Sequence, residues 1–218
     1  SKSNNTSNKI HRLWPTPVGE FFNPDHQKIR DKLIVFEDYK TQNPKSKKGI
    51  ENINLYESGY NIHQLQNESY TKLIHFIAGC FYTMSKKMND RIIIDDSKYI
   101  TEIVNSWFIV YGNSGFVAPH LHGNCSWSCV YYVQLGDSTG IGNGSTYLQK
   151  IHLMAKTDVG STYLQFELQH FLPEEGKLIV WPSHIVHGSY PYFGKTKRII
   201  VSESGFISRI VMVVDGID

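Results

Sequence analysis

The sequence predicts a mainly β protein, an antiparallel sandwich or jelly roll, with two amphipathic helices packed on an outer face. Three observations point there. From Arg91 onward, short runs of β-branched and aromatic residues alternate with clusters of Gly, Pro, Asn or Asp, the punctuation of many short antiparallel strands. Ahead of Arg91, two segments carry apolar residues at helical spacing. The chain has 218 residues, 40% of them hydrophobic, enough for a sizeable core. No internal linker marks a second domain, so residues 1–218 read as one domain.

Taken in order, residues 1–9 are polar and read as a flexible end. LWPTPVGEFF (13–22) mixes Pro with β-formers and reads as a first strand. Residues 24–40 place Ile29, Leu33 and Phe36 on one helical face, with Asn23 or Asp25 as cap. Residues 41–54 form a basic loop, and its lysines are most simply solvated. Residues 68–88 give a longer helix that buries Leu73, Phe76, Ile77 and Cys80 or Phe81. Seven β-rich runs follow: RIIID, YITEIVNSWFIVY, SCVYYVQL, STYLQKIHLM, STYLQFELQHF, GKLIVWP and KRIIVSESGFIS. STYLQ occurs twice, but one short echo is not a repeat architecture. GIGNGS opens no helix after a strand, so it reads as a hairpin loop rather than a phosphate cradle.

Net charge is +2, so nothing global points to nucleic acid or a lipid surface. Three cysteines without paired spacing do not make a secreted disulfide framework. No apolar run at the N-terminal end reads as a signal peptide or membrane span, and the expected compartment is the cytosol. Oligomeric state leaves no trace in the sequence.

The chemistry concentrates in PHLHGNCSWSCVYYV (119–133). His120 and His122 stand two apart, and in extended backbone such residues share a face. Both imidazoles can then reach one metal ion at a sheet rim, where substrate has access. HxH alone is no more than an even wager among ten histidines. GKLIVWPSHIVHGSYP adds a third, His187, after a strand and a Pro-containing turn, and Arg198 follows. Three side chains on one side of Fe(II) leave three positions open, two for a chelating keto acid and one for O2. The keto acid's far carboxylate then needs a fixed cation, which an arginine supplies as a bidentate fork.

These segments, with LWPTP and SGYNIHQ (58–64), resemble the non-haem Fe(II), 2-oxoglutarate-dependent oxygenases, specifically a bacterial and phage subgroup with an HxHxN…H…R pattern. The resemblance spans residues 13 to 206. It implies a double-stranded β-helix, the cupin-like jelly roll, and a hydroxylase that forms succinate and CO2 in the cytoplasm of a bacterium or phage-infected cell. It implies His120 and His187 as metal ligands. His122 stands where most of the superfamily has Asp or Glu; either it is the third ligand, leaving the site one unit more positive, or water or substrate takes that place. Arg198 matches the residue that pairs with the 2-oxoglutarate C5 carboxylate. The usual Ser or Thr two residues later is Ile200, with Ser202 as a less direct substitute. Tyr132, favoured over Tyr131 by strand parity, could offer a hydroxyl to the same carboxylate, and Asn124 a bond to the cosubstrate or to a metal-bound group; core packing for Tyr131 and a turn for Asn124 are the plain alternatives.

Other candidates read as structural. Cys125 and Cys129 fall on the opposite parity to His122 and pack as small apolar groups. His184 reads as a surface turn residue; His11, His26, His63, His75, His152 and His170 are scattered; Trp127 and Trp181 read as core. Pocket walls are expected from 136–146, from 155–161 and from the N-terminal segment. The substrate, a small molecule or a peptide side chain, is not named by the sequence. Two other functions remain consistent with it: a three-His cupin-type dioxygenase that needs no keto acid, and a non-catalytic jelly-roll module, binding or virion-associated.

Overall fold

The computed structural model describes residue 10 and residues 15–32, 34–45, 54–137, 140–150, 159–160 and 167–210. Two antiparallel sheets dominate it. The larger runs in the order β1 (Gly19–Phe22), β7 (Lys177–Pro182), β4 (Trp127–Gln134), β9 (Arg198–Arg209), β3 (Tyr99–Tyr111) and β2 (Leu55–Glu57). The smaller has β6 (Leu168–His170), β5 (Thr146–Gln149) and β8 (Val186–Ser189). This is the jelly-roll arrangement that the strand runs predict. The expected frayed residues 1–9, most of the 41–54 loop and the second STYLQ lie outside the described residues.

The period of two along each strand sorts its side chains between two cores. Phe108, Val110, Cys129, Tyr131, Val133, Leu178, Val180, Ile199 and Val201 face one way. There they meet α3 (Glu68–Met88), whose Leu73, Ile77, Cys80 and Phe81 are buried. Each such apolar side chain withdrawn from water contributes about 1.5–3 kcal/mol. Asn67 caps α3 by accepting the Tyr70 backbone N–H at 3.0 Å. Trp107, Ile109, Tyr111, Val130, Tyr132, Ile179, Trp181 and Ile200 face the other way and meet Leu148 of the smaller sheet. Trp127 packs as expected, its indole donating to Ser85 Oγ at 2.6 Å. No helix among the described residues is long and apolar enough to cross a membrane.

Two sequence expectations fail here. The single helix over 24–40 is instead α1 (His26–Arg30) and α2 (Ile34–Gln42). Tertiary anchors end α1 early: His26 Nδ1 bonds the Tyr131 hydroxyl at 2.7 Å and Arg30 Nε lies 3.0 Å from Glu175. Lys32 N–H then closes a tight turn on the Ile29 carbonyl. RIIID is no strand. It is wound into the turn that ends α3, where the amides of Ile92 and Ile93 both donate to the Asn89 carbonyl. Ile92 and Ile94 are left exposed, with Ile93 alone buried.

Between β9 and α3 sits a carboxyl group with no solvent contact. Glu203 Oε1 accepts from Ser106 Oγ at 2.9 Å, and Ser106 in turn accepts the Tyr70 hydroxyl. Burial pushes the Glu203 pKa up to about 8, against the pull of those two hydroxyls. Because the folded value lies above the ordinary 4.5, the stabilising effect of the neutral acid is complete below that value and is lost as pH rises toward 8. Glu203→Gln, neutral throughout, should therefore gain stability over the wild type by up to about 1.4 kcal/mol per pH unit across that window and hold the gain above it. Urea unfolding at a series of pH values measures the gap.

Candidate metal centre

Two backbone hydrogen bonds bring the distant histidines together. His120 N–H donates to the His187 carbonyl and His187 N–H to the His120 carbonyl, each at 2.9 Å. The two residues form an isolated antiparallel bridge, so their side chains leave the same face side by side. His122, two residues on, is held by its N–H to the Ser183 carbonyl at 3.0 Å. The three rings stand 4.3 to 5.0 Å apart between centroids. One nitrogen from each lies within 4.8 Å of the others, the only such His/Cys/Asp/Glu group among the described residues.

Local geometry selects the ligating nitrogens. His120 Nδ1 lies 2.9 Å from the Ala118 carbonyl and His187 Nδ1 lies 3.0 Å from the Ile185 carbonyl. A carbonyl only accepts, so in each ring Nδ1 carries the proton and Nε2 keeps its lone pair for a cation. Trp181 packs on His187 with centroids 4.7 Å apart, and Trp107 on His122 at 5.3 Å. The donor set suits a divalent transition metal.

HxH does not begin β4, as the sequence implied. After the bridge at His120 the chain leaves the sheet, turns through Asn124 in the left-handed region (φ 58°) and enters β4 at Trp127. Asn124 is exposed in this turn and is not among the described residues lining the central hollow. Cys129 faces the α3 core. Cys125 reaches Ser183 Oγ at 3.0 Å, and neither cysteine joins the imidazoles. His184 is exposed in its turn, and His11 and His152 lie outside the described residues.

The imidazoles open onto a hollow of about 300 Å³ between the two sheets. Its lining includes Tyr111, Thr146, Ser189 and Ile200 as well as Ser202. Arg198 stands opposite Tyr111 in the β3–β9 register. It is 1% exposed, its guanidinium carbon 5.3 Å from the centroid of the Tyr132 ring and 5.9 Å from that of Tyr111. Its Nε and Nη1 have no hydrogen-bond partner. Burial draws the guanidinium pKa down, opposed by Tyr132, Tyr111 and Tyr192. Gly144, at φ +69°, lies directly against it: a Cβ there would come within 3.0 Å of Nη1. Tyr132 sits beside Arg198 and gives its hydroxyl proton to Thr146 Oγ1 at 2.9 Å. Tyr131 points into the other core. Ser202 lines the hollow four residues along β9, about 13 Å of strand beyond Arg198.

The expected walls are only partly those observed. Thr146 comes from the 136–146 loop, while most of 155–161 and the N-terminal segment before residue 15 lie outside the described residues. The β2 region and β3 supply Glu57, Tyr60, Asn105, Trp107 and Ile109. No motif marks Glu57 or Tyr111, whereas Tyr60 falls within SGYNIHQ, and alternation along NSWFIVY places Asn105, Trp107, Ile109 and Tyr111 on one face. Trp181, expected as core, lines the hollow as well, and its buried Nε1–H has no partner.

Comparison with known proteins agrees with this geometry. Residues 105–203 match a family model described as "Putative 2OG-Fe(II) oxygenase". No curated protein matches the chain. Among solved structures, the carbocyclase SnoK of nogalamycin biosynthesis, non-heme and alpha-ketoglutarate-dependent, aligns with a TM-score of 0.64 at 10% identity, over 92% of this chain and 85% of its own. A prolyl-4-hydroxylase of Pseudomonas putida aligns at 0.57 and 13% identity, over 86% and 91%. The viral collagen prolyl hydroxylase of Paramecium Bursaria Chlorella virus-1, in its 2OG complex, aligns at 0.53 and 15% identity, over 88% and 96%. At such identities the likeness speaks for the fold. The sequence match to the 2OG-Fe(II) oxygenase model covers all three imidazoles and the arginine.

Proposed function

We propose that the protein is a non-haem Fe(II), 2-oxoglutarate-dependent dioxygenase that hydroxylates a small-molecule or peptide substrate, and that residues 1–218 act as one oxygenase domain. The observation that carries this reading is the buried Arg198 guanidinium, whose Nε and Nη1 lack hydrogen-bond partners, in the same core as three convergent imidazoles. An isolated buried cation costs several kcal/mol, and the distal carboxylate of a keto acid would offset that cost. A keto-acid-independent dioxygenase would leave the guanidinium without a counter-ion. A cytoplasmic setting fits Cys80, Cys125 and Cys129, all of them free thiols.

When bound, Fe(II) with 2-oxoglutarate and O2 supplies the oxidation, one oxygen atom passing to succinate as CO2 leaves and the other to the substrate C–H bond. The chain itself positions and excludes. His120 and His187 present Nε2, and His122 completes a three-imidazole face. Arg198, flanked by the Tyr111 and Tyr132 rings, orients the keto acid from its far end. Ser202 offers a hydroxyl nearer the metal. Trp107, Ile109, Val130, Trp181 and Ile200 keep bulk water out. Three neutral ligands leave the centre one positive charge richer than two histidines and a carboxylate, which favours a dianionic cosubstrate.

Two variants separate the parts. His187→Ala should weaken Mn(II) binding by more than about tenfold in calorimetry. Arg198→Ala should leave Mn(II) binding intact while 2-oxoglutarate binding to the metal-loaded protein falls about 100-fold, roughly 3 kcal/mol. Conversion of 2-oxoglutarate to succinate by the Fe(II) protein, followed by mass spectrometry, should cease in both. A silent 2-oxoglutarate titration on metal-loaded wild type would overturn the assignment in favour of a keto-acid-independent centre.

A further inference from the structure

We infer that Trp181 is a contact residue for the keto acid, its indole N–H donating to the carboxylate at the metal end while Arg198 takes the carboxylate at the far end. The inference rests on the oxygenase reading, because it takes the hollow as the seat of 2-oxoglutarate.

Trp181 stands on β7, in register with Ser128 of β4. Its ring packs on that of His187 with centroids 4.7 Å apart. It borders the hollow and is 1% exposed. Its Nε1 is buried and meets no acceptor. Nearby hydroxyls bond to one another instead: Ser128 Oγ lies 2.9 Å from Ser183 Oγ and 3.4 Å from Ser204 Oγ. Ser183 Oγ also receives the Cys125 thiol at 3.0 Å. Trp127, by contrast, gives its indole proton to Ser85, the ordinary fate of a buried indole. An orphaned buried donor is destabilising, and phenylalanine would fill much of the same space without one. An acceptor that arrives with a ligand accounts for the indole at this position.

The placement of the orphaned donors fits a dianion. Among the described residues that line the hollow, Trp181 is the one with a buried polar atom lacking a partner. Arg198, the other orphaned donor of this core, lies behind the lining beside Tyr111 and Tyr132. The register sets the two at opposite ends: Trp181 faces Ser128, and Ser128 faces Ser204, well along β9 from Arg198. Through His187, Trp181 belongs to the imidazole end. 2-Oxoglutarate carries a carboxylate at each end, and the one next to its keto group chelates a metal. A hydrogen bond to an ionised acceptor is roughly twice as strong as one between neutral groups. An N–H beside the imidazoles therefore favours a keto acid over a neutral chelator.

The test uses protein loaded with Zn(II), which is diamagnetic and suits the same donors. The chain has four tryptophans, so the indole region of a proton–nitrogen NMR spectrum is uncrowded, and Trp181→Phe or contacts to the His187 ring assign the relevant signal. Adding 2-oxoglutarate should move the Trp181 N–H downfield. 2-Oxovalerate, which keeps the keto-acid end and lacks the far carboxylate, should do the same. In NMR titrations Trp181→Phe should weaken both ligands about tenfold and leave Zn(II) affinity within about twofold, whereas Arg198→Ala should weaken 2-oxoglutarate alone. The inference is overturned if 2-oxoglutarate binds without a downfield shift of the Trp181 N–H, or if Trp181→Phe binds it as wild type does. It is overturned equally if the loss in that variant spares 2-oxovalerate, or is matched by an equal loss of Zn(II), the mark of a packing role. Should Trp181→Phe fail to fold, the wild-type spectra with the two ligands decide alone. Failure of wild type to bind 2-oxoglutarate would instead strike the oxygenase reading and this inference with it.

Discussion

The reciprocal pair of amide bonds between His120 and His187 is the constraint on which the rest of the molecule depends. It joins two segments that belong to no common hairpin and sets two imidazoles on facing positions. His122 then needs no bond beyond its own to Ser183 to complete the set. Each bridged ring is also tied by Nδ1 to a carbonyl two residues back in its own chain. Position, rotation and tautomer are thus all settled by backbone atoms, which move far less than side chains do. Trp181 and Trp107 pack on His187 and His122 from the hydrophobic wall and complete this support.

Charge in the core is laid out with comparable economy. Arg198 lies behind the lining of the hollow, beside the Tyr111 and Tyr132 rings and against Gly144. Glu57, which accepts the Tyr60 hydroxyl, lines the hollow. Between them lie apolar strands and the neutral imidazoles.

The ligand set was legible in the sequence because its chemistry is local. HxH in extended backbone and a histidine at the end of an apolar strand are short patterns, and Arg198 opens the last β run. The two cores were legible too, because alternation along β3, β4, β7 and β9 sorts Phe108 from Ile109 and Tyr131 from Tyr132 without knowledge of partners. What escaped depended on distant pairing. A three-residue strand such as β2 has too few residues to show a period, so Glu57 could not be placed on any face until its partner β3 was known. The break after Arg30 goes with tertiary contacts of His26 to Tyr131, 105 residues away, and of Arg30 to Glu175, which helical periodicity does not reveal. RIIID has every mark of a strand except a neighbour to pair with. The left-handed turn at Asn124 likewise could not be read from its spacing to the histidines.

β9 deserves a last consequence. Its first eight residues are all buried, with Arg198 and Ser202 on the side of the hollow and Glu203 on the side of α3. Sliding the strand by a single position would exchange the two sides, driving the guanidinium among the leucines and isoleucines of the helix layer and turning a carboxyl group toward the ligand imidazoles. The displaced guanidinium would be stranded among apolar groups, and the carboxyl group would lose its hydroxyl partners. The alignment of this central strand is thus policed from both surfaces at once, and an insertion or deletion inside it would reverse the electrical sense of the cavity rather than merely loosen the sheet.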